Sequence, residues 1–165
     1  MKAFSLIAVV ALLLSGCASY NGRGLAGGVS TAKDVEELMG QPAERLKAAD
    51  GDTIWFYPRQ PSGRQIYAAR IGPDGRMRSL EQTLTEQNIR NLVPGVTTIA
   101  QTREILGPPW RTSRFERQQR DVWEYTMFNG QQWDYFLDVQ FSYDGIVREV
   151  MMLKDYNKEM GNTKD

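Results

Sequence analysis

Apolar and polar positions follow one another along this chain in two rounds of the same pattern. Val35, Leu38 and Met39 in the first round, and Thr102, Ile105 and Leu106 in the second, recur at i, i+3, i+4, the stripe a short helix buries. Ser30 or Thr31, and Thr97 or Thr98, stand where a hydroxyl would satisfy the free N–H groups that open such a helix. Gly40 and Gly107 stand where a positive-φ cap is wanted, and Pro42 and Pro109 prevent continuation. An extra short helix is expected over Thr85 to Leu92, ahead of the second stripe. The pattern then changes to period two: Tyr135, Leu137, Val139 and Phe141 alternate with Asp134, Phe136, Asp138 and Gln140, as in a half-buried strand. Asn129-Gly130, Asp144-Gly145 and Asp74-Gly75 mark tight turns between strands.

Aligned without a gap, residues 28–42 and 95–109 are identical at six of fifteen positions. Ile54-Trp55-Phe56-Tyr57 then matches Val122-Trp123-Glu124-Tyr125, and the Asp74-Gly75 turn matches Asp144-Gly145, the offset growing only from 67 to 68 to 70. The expected fold class is therefore α+β, a tandem repeat in which a helix, or two, precedes a three-stranded antiparallel sheet. The first unit is placed at 28–84 and the second at 85–153, with a polar tail at 154–165.

The N-terminus reads as an address. Lys2 precedes a twelve-residue apolar run, Ala3 to Leu14, too short to span a bilayer and suited to a secretory signal over residues 1–16. Leu14-Ser15-Gly16-Cys17 resembles the lipobox of bacterial lipoproteins, which implies cleavage before Cys17 and a covalent lipid on it. Ala18, not aspartate, follows the cysteine, which in such lipoproteins implies the outer membrane, facing the periplasm. Residues 17–30, rich in glycine, are expected to form a flexible tether of roughly 20 Å. Gly22 to Gly27 matches a dinucleotide-binding G-x-G-x-x-G, but it lacks the preceding strand that gives that motif its meaning.

Composition narrows the function. With 20 Lys+Arg against 20 Asp+Glu the chain carries no net charge, which disfavours a nucleic-acid binder acting through a broad basic surface. No histidine is present and one cysteine, which removes the usual zinc sites and the His-activated nucleophiles. Asp134 and Asp138 share a strand face and are the one candidate acid-base pair, although charges alternating on an open sheet face are usually solvated. Neither an enzyme, a metal nor a cofactor beyond the lipid on Cys17 is expected.

The G-V-[ST]-T helix segment ending in a Gly-x-Pro or Gly-Pro-Pro stop, the W-x-Y strand and the D-G turn into a last strand resemble the SmpA/OmlA (BamE) lipoprotein family, whose domain architecture is shared with the β-lactamase inhibitor protein. That resemblance implies an outer-membrane lipoprotein, without enzymatic activity, that binds envelope proteins, the β-barrel assembly machinery among them, or maintains the envelope. Two units in tandem resemble the inhibitor protein more than the single-unit assembly subunit, and imply an alternative: a module that clamps a periplasmic enzyme with both units.

Candidate binding residues are those that the two copies do not share. Trp55, Tyr57, Trp123 and Tyr125 occupy equivalent positions and are read as core. Phe128, Trp133 and Phe136 flank the Asn129-Gly130 turn or share a face with Asp134 and Asp138, and either anchor a protein partner or are buried where the two sheets pack on each other. Trp110 replaces Ala43 of the first copy and is either a second anchor or a lid on the helix end. Arg111, Arg114, Arg117 and Arg120, against the single Glu116, form a local excess of positive charge that is either a contact for anionic lipid or a solvated loop.

Overall fold

Helix α1 (Ala32–Met39) and helix α3 (Ile99–Leu106) begin in the same way. Thr31 and Thr98 accept from the backbone N–H groups of Asp34 and Gln101, whose side chains accept in return from the cap residues' own N–H at 2.7 and 2.8 Å. The Thr31 N–H and hydroxyl together hold the Asp34 carboxyl below the ordinary carboxylate range. Both helices stop at a glycine with φ 83°, Gly40 and Gly107. A tyrosine fixes each end: the hydroxyl of Tyr57 donates to the Gly40 carbonyl at 3.2 Å and that of Tyr125 to Gly107 at 3.0 Å. Burial pushes the Tyr57 hydroxyl up to about 12 and raises that of Tyr125, so both remain donors. The short helix α2 (Glu86–Arg90), capped by Thr85, lies where the sequence predicts it.

The computed structural model describes residues 21–128 and 134–154, and in it the chain is α+β with two four-stranded antiparallel sheets. In the first, β1 (Glu44–Lys47), β2 (Thr53–Pro58), β3 (Ile66–Ile71) and β4 (Met77–Gln82) pair in chain order. In the second, β5 (Arg111–Phe115), β6 (Arg120–Phe128), β7 (Asp134–Ser142) and β8 (Val147–Lys154) do the same. The expectation of three strands per unit is corrected to four. The strands not foreseen, β1 and β5, are edge strands of polar sequence, ERLK and RTSRF, in which no residue is fully buried. They lack the apolar alternation by which a strand is recognised, and charged edges are a usual protection against unwanted pairing. Register shifts fall at the corresponding places, Arg70/Ile71 and Gln140/Phe141.

The expected tether is also corrected. From Asn21 onward the segment is built into the first unit: Gly28 N–H donates to Met77 O at 2.7 Å, Met77 N–H returns to Ser30 O, and Leu25 joins the core around Val35 and Met39. A side chain at Gly27 would meet the Arg78 carbonyl at 2.6 Å, so glycine serves close approach here. Ala26 N–H donates to the Ser30 hydroxyl just as Val93 N–H donates to that of Thr97, so the repeat begins a few residues earlier than position 28. Thr31 and Thr98 are the caps.

The two units stack. On one face of the first sheet, Trp55, Tyr57 and Ala69 pack with Val35 and Met39 of α1. On the other, Ile54, Phe56 and Ile66 share a single core with Leu106 of α3, Ile89 of α2, and Tyr125, Leu137, Val139 and Phe141 of the second sheet. The order of layers is thus α1, first sheet, α2 and α3, second sheet. Arg103 of α3 bonds Glu44 of β1 through Nε at 2.9 Å, and Glu104 accepts from Arg70 at 3.3 Å, so polar contacts tie the same layers.

Candidate functional site

The face of the second sheet turned away from the shared core follows from its register. Val122, Glu124 and Thr126 of β6 lie opposite Gln140, Asp138 and Phe136 of β7, which in turn lie opposite Glu149, Met151 and Leu153 of β8. The inward face is filled by Trp123, Tyr125, Leu137 and Val139, leaving this face without a helix among the described residues. By the repeat, Glu124 and Asp138 stand where the first sheet has Phe56 and Ala68, the positions against which the second unit packs. Charge in place of an apolar contact is what a terminal repeat requires to remain soluble.

A groove of about 310 Å³ runs along one end of this face, between the β2–β3 loop of the first unit and the second sheet. Pro61 and Arg64 form one wall; Trp110, Arg111, Thr126 and Phe136 form much of the other. Gln60 of the same loop accepts from Thr126 N–H at 3.1 Å, at the ladder position beyond the end of β5. Trp110 is 36% exposed, with the Arg111 guanidinium 5.0 Å from its ring. Phe136 is half-buried opposite Thr126. Two of the four expected aromatic anchors therefore meet. Phe128 ends β6, but its side chain, like Trp133 and Cys17, lies outside the described residues.

Several groups on this face escape sequence reading. Glu124 takes Arg111 at 2.6 Å and has only 16% of its side chain exposed. Asp138 was expected to be solvated; instead it is half-buried opposite Glu124, and its Oδ1 has no hydrogen-bond partner. Burial, then the neighbouring Glu124, raises its pKa. A carboxyl whose folded pKa is raised favours folding below the unfolded value and loses that contribution as pH rises through the folded one. Asp138→Asn is therefore expected to melt above the wild type at pH 7, with the two melting temperatures converging below about pH 4. A scan of Tm against pH checks this. Asp134 shares the strand, its side chain outside the described residues.

The arginine segment is not a loop. Arg111 and Arg114 belong to β5, where Arg114 takes both oxygens of Asp121 at 2.7 and 3.1 Å, and Arg117 lies in a 3₁₀ turn, Glu116–Gln118. Arg120 opens β6 and reaches the carbonyls of Gln118 and Gln119. Asp121 and Glu124, just beyond the segment, offset two of its four cations, which weakens the lipid-contact reading. Trp55, Tyr57 and Tyr125 are buried, and Trp123, half-buried, meets Phe141 edge to face at 5.1 Å, in line with their reading as core.

A second cavity, about 470 Å³, lies between the face of the first sheet turned toward the second unit (Ile54, Ala68, Arg70) and the helices (Asn88, Gln101, Glu104). Arg70 is held there by Asp50 at 2.7 Å and by Glu104. It brings together none of the expected anchors.

No protein-family model matches the chain, and no curated protein matches it. Among solved structures, a DUF4309 family protein (YjgB) from Bacillus subtilis is similar at 20% identity over 81% of this chain and 84% of that one, with a TM-score of 0.30.

Proposed function

We propose that the protein is a lipid-anchored outer-membrane adaptor of the SmpA/OmlA (BamE) kind, without enzymatic activity, that binds envelope proteins at the groove lined by Trp110 and Phe136. The observation that supports this reading is the groove itself: two exposed or half-exposed aromatic side chains, 26 residues apart in sequence, share it with a loop of the other unit. Aromatic side chains in a partly apolar concavity are the usual anchors of protein recognition. The anchor assignment rests on the lipobox ending at Cys17. Only residues 18–20 separate that cysteine from the first described residue, at most about 14 Å of chain, so the fold works close to the lipid surface.

The alternative, an inhibitor-type clamp on a soluble enzyme, has less support, because the α2 and α3 layer separates the two sheets and no joint concave sheet is available to grip with.

Affinity purification from detergent-solubilised membranes tests the adaptor reading. The wild type is expected to recover barrel-assembly or other envelope subunits, the double variant Trp110→Ala, Phe136→Ala to lose most of that recovery, and Cys17→Ala to leave the membrane fraction. Capture of a soluble enzyme whose activity falls on binding would replace the adaptor with the clamp.

A further inference from the structure

Across the second sheet, Arg111, Glu124, Asp138 and Met151 follow one another in register on the outer face. Two carboxylates stand directly opposite each other, an arrangement that is unfavourable unless cations offset it. Arg111 donates to Glu124 at 2.6 Å. Asp138 Oδ1 is buried and unpartnered. Independently, Thr126, two residues from Glu124 along the same face and lining the groove, is 4% exposed, and its Oγ1 has no partner either. Buried polar atoms are nearly always satisfied; Gln60, whose Oε1 takes the Thr126 N–H, also has an unpaired Nε2, so it is the unpaired carboxyl of Asp138 that points to a group arriving from outside. The fold itself does not need them: on the first sheet the positions matching Asp138 and Thr126 are the apolar Ala68 and Pro58.

The surroundings state what that group must be. It has to bring donors and positive charge to Asp138, and it has to lie over Phe136, Met151 and Leu153, the last 49% exposed. A long basic side chain does both, since its methylene stem covers apolar surface while its head remains charged. Glu149 flanks the site on the same face and is exposed, whereas Arg111 is committed to Glu124.

We propose that the outer face of the second sheet receives an arginine or lysine side chain of a protein partner, its charged end on Asp138 beside Thr126 and its stem along Phe136 and Met151. This rests on the adaptor reading only in taking the basic group from a protein, and it names the chemistry that such a partner presents beside the aromatic anchors.

The test uses the full chain in detergent solution and two blocked tripeptides, Leu-Arg-Leu and the same peptide with uncharged, nearly isosteric citrulline for arginine. The arginine peptide is expected to bind about tenfold or more tightly than the citrulline peptide, as a charge-assisted hydrogen bond to a half-buried carboxylate requires. Asp138→Asn should bring the two within about twofold of each other, and Glu149→Gln should leave the preference in place. Equal binding of both peptides to the wild type, or a preference that survives Asp138→Asn, overturns the proposal. Carbon-13 titration of the wild-type Asp138 carboxyl gives a readout that needs no variant to fold: its apparent pKa should fall when the arginine peptide saturates the protein and stay put with citrulline, and an unmoved value overturns the proposal as well. Failure of the membrane purification with the peptide preference intact removes the adaptor and leaves this site. The reverse result removes the site alone.

Discussion

Gly107→Ala is expected to destabilise the protein far more than Gly40→Ala, although the two glycines end equivalent helices with the same φ of 83°. At Gly40 an added Cβ meets nothing within 4 Å, so the cost is that of backbone strain in a region open essentially to glycine, about 1–3 kcal/mol. At Gly107 the same strain applies, and the Cβ would in addition stand 2.8 Å from Phe56 Cδ1 and 3.1 Å from Ile66 Cγ2, both in the first sheet. Overpacking of that kind adds about 1–3 kcal/mol. Denaturant unfolding of the two variants side by side isolates the close approach between the units, because the local helix ends are otherwise matched. Equal losses would mean that the two units do not pack at this distance in solution.

Phe56→Ala is the second large effect. Phe56 is fully buried in a core to which the second unit contributes Leu106, Tyr125 and Leu137, and a Phe-to-Ala cavity costs about 3–5 kcal/mol. Against a usual total of about 5–15 kcal/mol this is a large fraction of the stability. Because the cavity opens in the shared core, both halves are expected to lose stability together. Native indole signals of Trp55, which lies in the core around α1, and of Trp123, which lies against the shared one, should disappear at the same, lowered denaturant midpoint. A variant in which the Trp123 signal keeps its wild-type midpoint while that of Trp55 shifts would show that the units unfold separately.

How much of this was legible depends on what each element does. The helices announce themselves because capping hydroxyl, apolar stripe and terminal glycine are local signals, and the copies repeat them at Thr31 and Thr98 and at Gly40 and Gly107. Strands β2, β6 and β7 are legible because burial on one or both faces gives them an apolar pattern, whereas β1 and β5 are held by backbone pairing at an edge and leave no such trace. The glycines of residues 22–28 suggest freedom to a reader of composition, yet Gly27 is there because a backbone carbonyl leaves no room for a side chain. In the site, Trp110 could be singled out by its difference from Ala43, its counterpart in the first copy. The meeting of Trp110 with Pro61 arises from the packing of one unit on the other, and the unpaired oxygen of Asp138 from the pairing of strands distant in sequence, so neither has a local signature.

The alternation of helix and sheet layers also sets a height. Stacked layers lie about 10 Å apart, so the second sheet stands roughly 30 Å from α1 across three such steps. The chain enters beside α1, where Leu25 packs, and any anchor at Cys17 is joined to that end of the stack. A protein built from one unit would carry its last sheet at a third of this height. For an anchor at Cys17, duplication is a spacer that carries the second sheet away from the attachment by stacking layers.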